Sequence, residues 1–164
     1  MKIAAWKVVV GALPTAACKK YRHVSKRSTC PLCGVEEENE FHALITCDHA
    51  RTLWTHMRER WPLPSDNILI NTGKEWLLNL LMPCSDQVRD MVIMLLWRIW
   101  QLRNDCAHGK EVPAAAATVE YLDSYYKSIR LASRFTTEEI IKGKMPVSEQ
   151  KTDTQIKQPA PPLP

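Results

Sequence analysis

The chain holds 164 residues, 45% apolar and 24% charged, so it can bury the core of one ordinary domain but not comfortably of two. Only 5 residues are Gly, which disfavours a turn-rich all-β architecture, and six Trp against two Phe mark the indoles as core anchors. The formal charge of +4 is modest but uneven: no Asp or Glu precedes Glu36, while Lys2, Lys7, Lys19, Lys20, Arg22, Lys26 and Arg27 all do.

Residues 2–10 read as a short helix with Ile3, Trp6 and Val10 on one face, stopped at Gly11. The run from Met1 to Cys18 has the outline of a secretory signal. Lys7 interrupts its apolar stretch, however, Pro14 ends it, and the basic residues at 19–27 fall on the wrong side of a cleavage site. Thr15 is an N-cap for a second short helix over residues 16–23. Lys19, Lys20, Arg22, Lys26 and Arg27 make this region a basic arm, with Tyr21 among them as a stacking surface. Lys and Arg neutralise phosphates whatever the base sequence, so the arm is the candidate contact for RNA or single-stranded DNA. The same charges would equally serve as a solvated face with no partner.

Cys30-Pro31-Leu32-Cys33-Gly34, His42 and Cys47 follow as C-x2-C-x8-H-x4-C, four ligand-type residues within eighteen positions. A Cys-x-x-Cys turn closed by Gly lets backbone amides point at both sulfurs while the thiolates converge on one ion. The later His and Cys complete a tetrahedron. Thiolate and imidazole ligands at this spacing select zinc in a closed structural site, with no open position for a substrate. A redox pair would need a thioredoxin-like βαβ setting, which the sequence around residues 30–33 lacks. His49 is an alternative to His42 as the imidazole ligand. Cys18, Cys84 and Cys106 are left over, cannot all pair, and read as buried small apolar residues. That pattern suits a reducing intracellular compartment, nucleus or cytoplasm, rather than a secreted disulfide framework.

Glu36, Glu37, Glu38 and Glu40 read as an acidic loop inside the zinc segment. Asp48 is expected to cap a helix from His49 to about Arg60 that buries Leu53, Trp54 and Met57 and ends at Pro62 and Pro64. An apolar helix over 75–81 stops at Pro83, and Ser85 starts the longest one, Asp86 to about Cys106. Val88, Met91, Val92, Leu95, Leu96, Ile99 and Leu102 follow the 3–4 spacing of a central, buried helix. Arg89, Asp90 and Arg98 cut its uncharged run far below the ~20 residues of a membrane span. Pro113 is placed at the first position of a further helix reaching about Ser133, with Val119, Leu122, Tyr126 and Ile129 in a stripe. Thr136-x-x-Glu139 forms a capping box for a last short turn. From residue 143 the segment is polar and Pro-rich, reads as disordered, and ends in a P-x-x-P form.

The order of these features resembles a known family. A Trp-containing helix precedes Ala12-Leu13-Pro14-Thr15 and the Cys30–Gly34 turn. Glu40-Phe41-His42, Cys47, Ala50-Arg51 and Trp54 follow, and later Trp97-Arg98-Ile99-Trp100-Gln101-Leu102-Arg103-Asn104-Asp105. Over residues 2 to about 134 this is similar to the zinc-binding domain of plant LINE-type (non-LTR) retrotransposon reverse transcriptases, which lies between the polymerase and the ribonuclease H-like domain. The resemblance implies that Cys30, Cys33, His42 and Cys47 are the ligands, the four that spacing selects. It also implies a non-catalytic remnant, since the polymerase carboxylate motif is absent and Tyr121-Leu122-Asp123-Ser124 is not that motif.

One enzyme alternative stands beside it. Arg103-x4-His108 at the end of the long helix resembles the active-site motif of HEPN ribonucleases, in which Arg would hold phosphate and His would act as acid or base. A helix end decorated by cations, with Gly109 at C′, explains the same residues. The expectation is therefore an all-α domain over residues 1–142 with a zinc knuckle at 28–50, and a tail over 143–164. Nucleic acid is the expected partner, with no small-molecule substrate and no membrane; a helical protein-interaction module is the other candidate.

Overall fold

The computed structural model describes residues 2–132. The chain divides into one unit over 1–129 and a second over 130–164, and the packing below is that of the first. The expected boundary at 142/143, the capping box at Thr136 and the Pro-rich segment lie outside the described residues.

Among the described residues the fold is all-α, without a strand. Six α-helices, α1 (Lys2–Val9), α2 (Ala16–Tyr21), α3 (Asp48–Arg58), α4 (Trp76–Leu81), α5 (Asp86–Ala107) and α6 (Ala115–Ala132), are joined by a π-helical turn at His42–Thr46 and a 3₁₀ turn at Asp66–Ile68. Ser85 caps α5 by accepting a hydrogen bond from the Val88 N–H at 3.4 Å. At the other end Gly109, at φ +72°, closes a Schellman turn, with Lys110 N–H on the Asp105 carbonyl and Gly109 N–H on that of Cys106. This is the C′ role expected of Gly109.

Helix α5 is the central element, burying Met91, Val92, Met94, Leu95, Leu96, Ile99, Trp100 and Leu102. Helices α1 and α3 and the π turn pack on it. Helix α6 joins through Trp97 stacked on Tyr125, and reaches the end of α3 through Trp61 against Tyr126. Four of the six indoles, Trp54, Trp61, Trp76 and Trp100, are buried; Trp97 is half-buried. Trp54 also satisfies its N–H, donating to the Leu44 carbonyl at 3.0 Å, and Trp76 meets Phe41 edge-on.

Several expectations need correction. Helix α1 turns Val8 inward with Ala5 and Val9 partly buried, while Ile3 and Trp6 are 73% and 63% exposed and Val10 is also open. Positions 5, 8 and 9 form a helical stripe as good as 3, 6 and 10, so periodicity alone could not choose between them. Asp48 lies inside the first turn of α3 and Cys47 is the N-cap, because Cys47 carries the extended backbone that admits the chain. Helix α6 begins at Ala115, two residues beyond Pro113. Cys18, Cys84 and Cys106 are half-buried rather than core residues. Glu38, expected in an acidic loop, has no solvent exposure.

Candidate functional site

The segment from Ser28 folds back on itself before the first ligand. Thr29 and Glu37 form an antiparallel bridge, Glu38 N–H reaches the Ser28 carbonyl, and Cys30 N–H reaches that of Glu36 at 2.8 Å. The Cys30–Gly34 turn sits at the tip, closed by Gly34 N–H on the Cys30 carbonyl at 2.9 Å. Gly34 adopts φ +70°, which a side chain would strain even though the space around it is open.

The other two candidate ligands come from the π turn and its C-cap. Cys47 N–H bonds to the His42 carbonyl at 2.9 Å, five residues back, so a turn one residue wider than an α-turn sets His42 and Cys47 on one side. The H-x4-C spacing is the sequence form of that turn. Asn39 holds its start, accepting from the His42 N–H at 2.7 Å.

Together these elements bring Cys30, Cys33, His42 and Cys47 to one point, with their ligand atoms all within 4.8 Å of one another. Cys30 Sγ lies 3.9 Å from Cys47 Sγ, and Cys33 Sγ lies 3.5 Å from His42 Nε2. A disulfide would need about 2.05 Å. Zinc–sulfur bonds of about 2.3 Å and zinc–nitrogen bonds of about 2.0–2.1 Å imply tetrahedron edges of roughly 3.5–3.8 Å. The four residues therefore fit zinc in both donor chemistry and spacing.

The backbone around the sulfurs favours thiolates. Backbone N–H groups of Leu32 and Cys33 point at the Cys30 sulfur, and those of His49 and Ala50 at the Cys47 sulfur. A hydrogen bond links the two buried sulfurs. Their mutual hydrogen bond, followed by burial, pushes the Cys30 thiol far up, and the same hydrogen bond holds Cys47 down. A bound cation would supply the charge that lets both ionise. The Glu36 carboxylate sits 2.9 Å from His42 Nδ1, with Thr46 Oγ1 at 3.3 Å from the same nitrogen. That partner orients the ring so that Nε2 faces the sulfurs.

His49, the alternative imidazole, is not in the cluster. It is half-buried, its Nε2 has no hydrogen-bond partner, and burial lowers its pKa.

Two contacts outside the candidate ligand set lock the knuckle to α5. Glu38 and Arg103 form a buried ion pair, and Cys106 Sγ donates to the Pro31 carbonyl at 3.4 Å. Sequence reasoning missed Glu38 by reading it with its exposed neighbours. A signal was available: Arg103 stands four residues after Ile99 and seven after Leu96, on the core stripe of α5, where a cation demands a buried acid. Arg103 is thereby 3% exposed while His108 is open to solvent. The ribonuclease alternative required both on one open face, and Arg103 is not on one.

The basic arm lies at the surface. Thr15 caps α2, its Oγ1 accepting from the Cys18 N–H at 3.2 Å, and the helix ends at Tyr21, shorter than expected. Lys20, Arg22, Lys26 and Arg27 are exposed and Lys19 is half-buried. Among the described residues no helix is long and apolar enough to cross a membrane.

No curated protein and no solved structure matches the chain. The resemblance expected to run to about residue 134 is matched over a shorter stretch that contains α1, the basic arm, every ligand and α3 as far as Trp54. Residues 1–54 match the family model described as zinc-binding in reverse transcriptase.

Proposed function

We propose that the chain is a zinc-stapled, non-catalytic remnant of a plant LINE-type retrotransposon reverse transcriptase that binds RNA or single-stranded DNA weakly through its basic arm. One observation carries the binding. None of Lys19, Lys20, Arg22, Lys26 and Arg27 forms an ion pair among the described residues, whereas Arg58, Arg60, Arg89, Arg103, Lys110 and Lys127 each hold a carboxylate. Unpaired, clustered cations are what phosphate neutralisation uses. The zinc is structural in this reading, since four protein ligands close the site. The non-catalytic reading is supported by the burial of Arg103 away from His108. Six free cysteines suit a reducing, intracellular setting.

The test is a titration of a labelled single strand at two salt concentrations, with zinc measured in the same sample. Three to five phosphate contacts give a log–log slope of about −2 to −3.5. Absent or salt-independent binding would overturn this reading in favour of a second one, a protein-docking helical module. The exposed Ile3, Trp6 and Val10 face of α1 is the observation behind that second reading.

A further inference from the structure

We propose that the groove beside the C-terminus of α2 is a subsite for one unpaired nucleotide, its base lying on the Tyr21 ring and its flanking phosphates held by Lys20 and Lys26. This rests on the nucleic-acid reading above but does not follow from it, because charge alone accepts duplexes and single strands alike.

The groove is open, about 940 Å³ in volume, and lined by Lys20, Tyr21, His23, Val24 and Lys26, with Glu37 its one carboxylate. Tyr21 is 86% exposed, and Val24 beside it is open as well. An aromatic face flanked by cations is the arrangement that binds single strands, with stacking on the ring and neutralisation at the rim. In a duplex the base faces are shut inside the stack, so only an unpaired base can use the ring.

The turn that builds the groove is set rather than loose. Val24 N–H bonds to the Lys19 carbonyl at 2.9 Å and His23 N–H to that of Lys20 at 3.0 Å, a Schellman closure that stops α2 just after Tyr21. Its left-handed position, at φ 57°, is His23, where glycine is the usual occupant. The imidazole is thus carried on a backbone that disfavours side chains, and it lines the groove. Lys20 Nζ donates to Ser28 Oγ at 3.3 Å, tying the rim to the segment leading into Cys30.

The experiment uses the full zinc-loaded chain and three labelled ligands of equal length: an oligouridine strand, an abasic strand with the same phosphates, and a duplex. The base-carrying single strand is expected to bind about ten-fold tighter than the other two. Tyr21→Ala should weaken that strand about ten-fold, to the level of the others, and leave those unchanged, while Tyr21→Phe retains the preference. Zinc content and helicity should be unchanged in both variants, because the side chain lies in solvent. Equal, salt-dependent binding of all three ligands, or an equal loss on all three in Tyr21→Ala, overturns the subsite and leaves the charge-based reading standing. No binding of any ligand overturns both.

Discussion

The Glu38 carboxylate is clasped side-on by the guanidinium of Arg103, 65 residues further along the chain, with Nε donating to Oε1 at 2.6 Å and Nη2 donating to Oε2. Oε2 also accepts the Ala16 N–H at 2.6 Å, and the guanidinium lies over the Trp100 ring. One carboxylate thus joins the start of α2, the knuckle segment between Cys33 and His42, and α5.

Removing Glu38 leaves a buried cation without its counter-charge. Glu38→Ala is expected to lower stability by about 3–5 kcal/mol, and the double replacement Glu38→Met with Arg103→Leu to recover much of that loss. Denaturant midpoints of the single and double variants decide it; a double variant as unstable as the sum of both singles contradicts the pairing. His108→Ala, at an exposed helix end, should move neither stability nor nucleic-acid binding.

Cys33→Ser should release the metal and unfold the segment around residues 28–60. Structural zinc sites in small peptides contribute about 10–16 kcal/mol of apparent binding energy, which the local contacts cannot replace. Zinc stoichiometry and amide protection of this segment are the readouts. Retention of one full equivalent of zinc would disprove the ligand assignment.

Neutralising Lys19, Lys20 and Arg22 together should flatten the salt dependence of single-strand binding by roughly two log units per log unit of salt, three contacts' worth. An unchanged slope would remove the basic arm from the interface.

Acid should destabilise the fold through His49. Burial depresses its pKa below the ordinary 6.5, so the native state holds the ring neutral while the unfolded chain binds a proton. That contribution is complete above about pH 6.5 and is lost as pH falls from there toward the lower native value. Thermal midpoints of the zinc-loaded protein between pH 7.5 and 5 should show the decline, and His49→Gln should make it shallower. Parallel curves for both proteins would count against it.

The clustering of Cys30, Cys33, His42 and Cys47 was legible because Cys and His are rare residue types at fixed spacing, and such spacing encodes the turns that carry them. The central position of α5 was legible because its apolar positions run all round. Glu38 was not, since its role depends on a partner 65 residues away and the acidic run around it resembles a solvated loop. The orientation of α1 was not either: its sequence offers two apolar stripes, and the choice is made by what α4 and α5 present to it. The half-buried sulfur of Cys106 was hidden likewise, its partner being the Pro31 carbonyl in another part of the chain.

The wide turn between His42 and Cys47 also governs which changes of length the segment survives. Losing one of the four residues from Ala43 to Thr46 would tighten this to an ordinary i,i+4 turn that still sets positions 42 and 47 on one face, whereas losing two would swing Cys47 by about 100° about the axis and carry its sulfur away from His42. A deletion in the exposed stretch 70–75 moves no ligand. Chains altered by small insertions and deletions should therefore keep the capacity to bind zinc when this stretch shortens by one residue but not when it shortens by two, whatever residues come to fill it.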